Sequence, residues 1–211
     1  VATLLYQSQS SEQSSATARP NQELLRRFHA PSRGPADAKV QIVEFLDPAC
    51  ETCRQFYPFV KTLLAANPDK IRLSIRHVAL HEGSEVIVRI LEAAKKQGKY
   101  WQALEALLAS QPNWTINHKV RPELAWPHLD GIGLDLERIR QDMNDPDITR
   151  IIELDRADAM SLKVSKTPEF FVNGKPMPSG DRVNLVHIAD LAVQADRHDR
   201  PGALGDGRFD F

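Results

Sequence analysis

The sequence predicts an α/β fold in which a block of helices is inserted between the strands of one sheet. Two segments, residues 40–46 and 71–77, have the composition of strands, and two further short strands follow within residues 168–177. Between them, residues 84–160 carry apolar side chains at helical spacing. Because strands return after the helices, we expect the helices to be an insertion and not a separate C-terminal domain.

The first strands and helix form a β-α-β unit. Val40–Leu46 is an apolar run rich in β-branched residues, as expected of a buried strand. In residues 50–67 the apolar side chains recur at helical spacing, and the run ends at an Asn-Pro step that breaks helices. Ile71–His77 alternates apolar and polar residues, the pattern of a half-buried strand. This order places Cys50 at a strand-to-helix junction.

The domain boundaries follow from the same patterns. We expect the insertion to span residues 83–160 and to divide the α/β domain into residues 35–82 and 161–198, with a closing helix at 183–197. Residues 1–34 are interpreted as a flexible N-terminal segment or linker, because residues 7–20 are almost wholly small and polar. Residues 199–211 are rich in glycine and charge, and they are expected to form a loose tail.

Composition excludes some partners. A chain of 211 residues fits one composite domain, and a formal net charge of -1 gives no electrostatic reason to expect nucleic acid. The sequence has no apolar run long enough for a complete transmembrane helix. Its first six residues, VATLLY, are too short to cross a membrane and are compatible with the end of an N-terminal anchor.

Cys50 and Cys53 are the two cysteines of the sequence. Two cysteines this close cannot staple a disulfide-rich framework, so they are a redox pair, half of a metal site, or an incidental pair. At the start of a helix, the free N–H groups and the helix dipole stabilise a thiolate on the first cysteine. The spacing therefore favours Cys50 as the attacking nucleophile and Cys53 as the resolving thiol.

Zinc is the main structural alternative for this pair. Half a zinc site requires two further ligands, and the sequence has no second pair of cysteines. The nearest histidines, His77 and His81, follow a strand and a breaker and do not have the usual ligand spacing. We therefore predict neither a metal nor another cofactor, and we interpret both histidines as structural.

Two segments together resemble a known family. The run FLDPACETC, which ends at Cys53, and the run TPEFFVNG, which begins at Thr167, resemble the DsbA-like branch of the thioredoxin superfamily over residues 35–197. The resemblance implies a thioredoxin-like fold with an inserted helical subdomain. It also implies that Pro168 is a cis-proline beside the cysteine pair, and that the backbone at Thr167 binds substrate as an added strand.

Glu44 is an ionisable residue inside an apolar strand, six positions before Cys50. The resemblance implies that this acid lies beneath the second cysteine. Burial would raise the pKa of Glu44 and suit it to exchanging a proton with Cys53, so we interpret it as a proton relay. The alternative is a carboxylate at the sheet edge without a catalytic role.

The sequence departs from the family at two places. Glu51 and Thr52 stand between the cysteines, where strongly oxidising members often have a histidine, and the charge of Glu51 is expected to oppose the thiolate. Glu169 follows Pro168 and adds a second acid near the expected substrate groove. Charge complementarity then favours basic or neutral substrates.

These observations predict a thiol-disulfide oxidoreductase. It would act on protein or peptide thiols and disulfides through a mixed disulfide at Cys50, with oxidation as the leading direction. The resemblance implies a periplasmic or cell-envelope location and reoxidation by a DsbB-like membrane partner. Two alternatives remain: a reductase or isomerase, favoured by Glu51 and Thr167, and a non-catalytic peptide-binding chaperone or adaptor.

Overall fold

The computed structural model describes residues 22–177, so the predicted closing helix at 183–197 and the predicted tail lie outside the described residues. The main sheet has five strands in the order β1-β3-β2-β6-β7. The strands are β1 (Ser32–Arg33), β2 (Val40–Leu46), β3 (Ile71–His77), β6 (Glu169–Val172) and β7 (Lys175–Pro176). Strand β2 lies at the centre, parallel to β3 and antiparallel to β6.

Residues 22–25 are helical, and six α-helices and one 3₁₀ helix follow them in the described chain. They are α1 (Glu51–Ala66), α2 (Ser84–Lys96), α3 (Tyr100–Trp114), α4 (Pro122–Ala125), a 3₁₀ helix (Trp126–Leu129), α5 (Leu136–Asp142) and α6 (Pro146–Ser161). All of them except α1 lie between β3 and β6 in the sequence, and β6 returns to pair with β2. The predicted α/β fold with inserted helices is therefore confirmed.

A short hairpin interrupts the insertion, which the sequence predicts to be helical throughout. Its strands are β4 (Thr115–Ile116) and β5 (Lys119–Val120), which pair antiparallel. The two residues between them, Asn117 and His118, both have positive φ. A two-residue turn of this kind matches the twist of the flanking strands, but two-residue strands are too short to give an alternating pattern.

Residues 22–34, which the sequence analysis assigns to the linker, pack against the domain. Ser32 and Arg33 pair with β3 as an edge strand, and Leu25 is buried. The guanidinium of Arg27 pairs with the carboxylate of Asp158 on α6 at 2.7 Å. The folded domain thus begins before residue 35, and the predicted boundary is too late because β1 has only two residues.

Alternation along β2 divides the core into two parts. Ile42 and Leu46 face the helices α1 to α3, whereas Val43 and Phe45 face the opposite side with Phe171 and Ala159. Glu44 lies on the same face of β2 as Ile42 and Leu46. Its neighbours across the strands, Ile75 and Phe170, also belong to the α1 side of the core. The strand period thereby directs the Glu44 carboxyl toward the helix that carries the cysteines.

Candidate active site

The loop from β2 to α1 is held by the carboxylate of Asp47, which is fully buried. The N–H groups of Ala49, Leu80 and His81 donate to it at 2.7 to 2.9 Å. The His81 Nδ1 contacts it at 2.8 Å, and the Ser84 hydroxyl also donates to it. One carboxylate therefore joins the end of β2 to the segment that starts the insertion. The sequence analysis did not single out Asp47.

Cys50 is the N-cap residue of α1 and has an extended backbone. No side chain caps the first N–H groups of the helix, and the sulfur stands where a serine or aspartate oxygen would accept from them. The pKa of Cys50 is lowered to about 5. A hydrogen bond from the Cys53 thiol is the main cause, and the N–H groups of Cys53 and Thr52 add to it, while burial acts in the opposite direction.

Cys53 lies one turn further along α1 and is fully buried. Both cysteines are in the free thiol form. Burial raises the pKa of Cys53 well above its ordinary value, and its hydrogen bond to Cys50 and the charge of Glu44 raise it further. The two sulfurs therefore differ in kind: near neutral pH Cys50 is a thiolate and Cys53 a thiol.

The segment before β6 faces the same sulfur. The peptide bond between Thr167 and Pro168 is cis, and the Cys50 Sγ lies 3.1 Å from the Thr167 carbonyl oxygen. Pro168 is buried, and the next residue, Glu169, begins β6 and pairs with Phe45 of β2. The fold thus brings together Cys50 and Thr167, which are far apart in the sequence.

Glu44 is fully buried, and neither of its carboxyl oxygens has a hydrogen-bond partner among the residues that the structure describes. Burial raises the pKa of Glu44 to about 8, and the negative charge of the Cys50 thiolate adds to the rise. Because β2 is flanked by strands on both sides, Glu44 is not at a sheet edge. The carboxyl is therefore mainly protonated at neutral pH and interacts with both cysteines.

The remaining residues predicted for the site, Glu51, Thr52 and Glu169, are exposed or half-buried. Glu51 and Thr52 are both exposed, in the first turn of α1. Despite the predicted opposition from Glu51, the pKa of Cys50 is lowered. Glu169 is half-buried, and burial raises the pKa of its carboxyl, against the effect of the nearby Lys166.

A second residue that the sequence analysis missed is Gln111 of α3, which is 1% exposed. Its amide nitrogen donates to the carbonyl oxygens of Pro48 at 2.7 Å and Cys50 at 3.0 Å. Its amide oxygen accepts from the Arg54 Nε at 3.2 Å. The inserted subdomain thus binds the start of α1 directly. A polar residue on the apolar stripe of α3 was the signal that could have found it.

The two histidines considered as ligands are occupied by protein contacts. His77 is buried, its Nδ1 lies 3.3 Å from the Leu46 carbonyl oxygen, and the Tyr100 hydroxyl lies 2.8 Å from its Nε2. A carbonyl can only accept, so the Nδ1 carries the proton and the hydroxyl donates to Nε2. His81 contacts Asp47, as described above. Both residues support the loop that precedes Cys50.

Residues 22–177 contain neither a candidate metal site nor a candidate membrane-spanning helix. Within this range, three or more histidine, cysteine or acidic side chains nowhere come together in a group that could hold a metal ion. The helices of the same range are all too short or too polar to span a bilayer.

Curated relatives of the chain are membrane transporters by name. The Na(+)/H(+) antiporter NhaA 1 of Salinispora arenicola is 38% identical over 174 residues, which are 80% of this chain and 25% of the antiporter. The antiporter NhaA of Herminiimonas arsenicoxydans is 32% identical over 68% of this chain and 22% of its own length. The chain therefore spans about a quarter of the curated relatives that it matches.

Solved structures match most of the described fold. A thioredoxin-like oxidoreductase from Silicibacter pomeroyi is 31% identical, with 81% of this chain and 96% of that chain covered and a TM-score of 0.69. BdbD of Bacillus subtilis is 21% identical, with 80% and 94% covered and a TM-score of 0.67. For alpha-DsbA1 of Wolbachia pipientis the identity is 20%, the coverage 84% and 98%, and the TM-score 0.68. The last two show the fold alone, and they confirm the predicted thioredoxin-like fold with a helical insertion.

The family model described as Thioredoxin matches residues 29–183, well over half of the chain. This range includes Glu44, both cysteines and the Thr167-Pro168 step. Together with the match over nearly the whole of a thioredoxin-like oxidoreductase, it shows that the chain belongs to the thioredoxin family.

Proposed function

We propose that the protein exchanges disulfides with protein or peptide substrates through a mixed disulfide at Cys50. The observation that carries the proposal is the difference between the two thiols, since the pKa of Cys50 is lowered to about 5 and that of the buried Cys53 is raised. The stabilised thiolate of Cys50 attacks, whereas the more deeply buried thiol of Cys53 beside it resolves. Two cysteines with only a structural role would not require different pKa values.

In the oxidising direction, a substrate thiolate attacks Cys50 in the Cys50–Cys53 disulfide. A substrate–Cys50 disulfide forms, and the electron pair of the broken bond goes to Cys53, which takes up a proton. A second substrate thiolate then attacks the substrate sulfur and releases Cys50 as a thiolate. The substrate loses two electrons and the cysteine pair gains them. Cys50 is a good leaving group because its thiolate is stabilised.

Glu44 is proposed to supply the proton that Cys53 takes up. Its pKa of about 8 keeps it mainly protonated at neutral pH, and its charge interacts with Cys53. Both of its oxygens lack another partner among the described residues, so the carboxyl is free to exchange its proton with the thiol. No cofactor takes part in this scheme.

Thr167 and Pro168 are proposed to bind substrate backbone. The Thr167 carbonyl is 3.1 Å from the Cys50 sulfur, and β6 begins at the residue after Pro168. An extended substrate that adds to this segment as a strand would bring its sulfur to Cys50. Glu51 and Thr52, exposed beside the sulfur, are proposed to modulate its reactivity.

Oxidation is the direction we propose, with reductase or isomerase activity as the alternative. A thiolate stabilises the reduced form and makes the pair more oxidising. Relative to thioredoxin, whose attacking cysteine has a pKa of about 7, a pKa of about 5 raises the potential by at most about 50 mV at pH 7.

We also propose that the protein works at the cell envelope and is reoxidised by a DsbB-like membrane partner. The family resemblance supports the oxidising compartment. Curated relatives named as Na(+)/H(+) antiporters support a place next to a membrane, because the matched region is part of a membrane protein's chain.

Trapping of the mixed disulfide tests the proposed thiol-disulfide exchange at Cys50. Cys53→Ser, with Cys50 first converted to a mixed disulfide with thionitrobenzoate, should accumulate a mixed disulfide with a reduced, unfolded thiol protein as the thionitrobenzoate thiolate leaves. Cys50→Ser treated in the same way should form none. Non-reducing electrophoresis measures both. A non-catalytic chaperone would bind the unfolded protein equally well in both variants without forming a covalent adduct.

The reduction potential, measured in glutathione buffers, tests the direction. A value of about -220 mV or higher supports oxidation, and one near about -270 mV supports a reductase.

A further inference from the structure

A groove of about 620 Å³ lies between α1 and α3, and the proposed exchange chemistry does not use it. Arg54, Tyr57 and Lys61 line it from α1, and Glu105 and Leu108 line it from α3. The α1 residues are spaced by three or four, so they form one stripe along the helix that carries the cysteines. The groove therefore begins one turn below Cys50 and runs along α1.

The acid in this groove is already neutralised. Glu105 accepts hydrogen bonds from Lys61 at 2.7 Å, from Arg33 at 3.1 Å and from the Tyr57 hydroxyl at 3.3 Å. Burial opposes the ionisation of Glu105, but Lys61 and Arg33 outweigh it and lower the pKa of the carboxyl. Two cations thus share one carboxylate.

Arg54, in contrast, has a neutral partner. Its Nε donates to the amide oxygen of Gln111 at 3.2 Å, and no carboxylate among residues 22–177 forms an ion pair with it. The same Gln111 amide donates to the Cys50 carbonyl at 3.0 Å. The Arg54 guanidinium, which has no carboxylate partner among residues 22–177, is therefore linked to the backbone of Cys50 through the side chain of Gln111.

The distance along the helix predicts where a substrate would meet this charge. Arg54 lies four residues after Cys50, which is about 6 Å along an α-helix. On the side of the substrate cysteine that does not pair with the Thr167 segment, an extended peptide that runs along α1 advances about 3.3 Å per residue, so two residues cover this distance. Lys61, which is already paired, lies about five substrate residues away by the same reckoning.

We propose that Arg54 and the α1–α3 groove form a substrate subsite for an acidic side chain two residues from the reactive substrate cysteine. This inference rests on the proposed thiol-disulfide exchange and names a substrate class for it. At that one position it reverses the expectation from Glu51 and Glu169, which favours basic or neutral residues. The carboxylate would pair with the guanidinium of Arg54 while Gln111 holds the arginine in place.

The test uses reduced protein and peptides that carry a cysteine as a mixed disulfide with thionitrobenzoate. The Cys50 thiolate attacks the peptide sulfur, a Cys50–peptide disulfide forms, and the coloured thionitrobenzoate thiolate leaves. Matched peptides have Glu or Gln two residues before the cysteine, or two residues after it. Dividing the reaction rate of the Glu peptide by that of the Gln peptide cancels any change in Cys50 reactivity that affects both peptides equally.

Arg54→Gln is the test variant, and Arg150→Gln is the matched control because Arg150 is exposed on α6 and gives the same charge change. In the wild type we expect the Glu peptide to react about fivefold faster in one of the two placements, the upper end for a partly exposed ion pair. Arg54→Gln should abolish the preference and Arg150→Gln should keep it. Equal wild-type rates in both placements, or a preference that survives in Arg54→Gln, would overturn the subsite.

Binding of the same peptides with serine in place of cysteine separates this inference from the proposed function. Calorimetry should show tighter binding of the Glu peptide that depends on Arg54 and weakens with salt. If that preference appears but thionitrobenzoate release is no faster than with free cysteine, the exchange function fails and the subsite stands. If release is fast and binding of the Glu and Gln peptides is equal, the subsite alone fails.

Discussion

Replacing Glu44 by Gln should change how the stability of the protein depends on pH. The wild-type carboxyl is fully buried without a hydrogen-bond partner among the described residues, and its pKa is raised to about 8. Glutamine has nearly the same shape and cannot ionise. The substitution therefore removes one titrating group from the core and leaves its volume filled.

The magnitude follows from the pKa in the two states. In the unfolded chain the pKa of glutamate is about 4.3, and a difference of one unit corresponds to about 1.4 kcal/mol. A pKa raised to about 8 in the folded state means that the stability is fully present below about pH 4 and is lost as the pH rises through 8. The loss is about 3.5 kcal/mol at pH 7 and about 5 kcal/mol in total.

Urea unfolding of the reduced protein from pH 4 to 9 measures this dependence. The free energy of unfolding of Glu44→Gln minus that of the wild type should rise by about 1.4 kcal/mol per pH unit between about pH 5 and 8 and then level off. Glu153→Gln is the control, because it makes the same change at an exposed position of α6 outside the candidate site, and its curve should be parallel to the wild type. A Glu44→Gln curve that also runs parallel would refute the raised pKa.

Three further predictions concern the surroundings of the cysteines. Cys53→Ala should raise the pKa of Cys50 from about 5, measured as the pH dependence of its alkylation rate, because the Cys53 thiol is the main cause of the low value; an unchanged profile would contradict that cause. Gln111→Leu and Gln111→Glu should each lower the free energy of unfolding in urea by about 1 to 3 kcal/mol, since both lose the donor to the carbonyls of Pro48 and Cys50. Gln111→Glu keeps an oxygen that can accept from Arg54. Full stability in Gln111→Glu would therefore mean that the contact to Arg54, and not the donor to the carbonyls, accounts for the loss in Gln111→Leu. Asp47→Asn should lose about 3 kcal/mol or more, because an amide cannot accept from all of the donors that surround the carboxylate; a thermal midpoint within a degree or two of the wild type would count against this.

Much of the fold could be predicted from local patterns. The bounds of β2 and β3 agree with the runs of apolar and alternating residues, and α1 differs from its predicted range by one residue at each end. These segments are long enough for periodicity to identify them. Strands β1, β4 and β5 have two residues each, which is too short for periodicity to identify them. Strand β1 depends on pairing with the distant β3, and β4 and β5 depend on pairing with each other.

The same distinction applies to the site. Cys50, Cys53 and Glu44 could be chosen because each contrasts with its immediate neighbours: a spaced pair of thiols at a helix start, and an acid in an apolar strand. Asp47 and Gln111 could not be assigned roles in this way, because their roles depend on contacts with residues 33 to 63 positions away. Tertiary hydrogen bonds of this kind become visible only when the chain is folded.

The insertion supports the candidate active site and is not a separable lid. Asp47, at the end of β2, accepts from Ser84 at the first turn of α2, and Gln111 of α3 donates to the carbonyl of Cys50. The strand-to-helix junction that presents Cys50 is therefore held from two helices of the inserted subdomain. Without residues 83–160, the buried carboxylate of Asp47 would lose the Ser84 hydroxyl as a donor, and the core face of α1 would lose the helices that cover it. A shortened chain that retains only the sheet and α1 would keep both cysteines, but it would lose the Gln111 contact that holds the start of α1 and the helices that pack against the core face of α1.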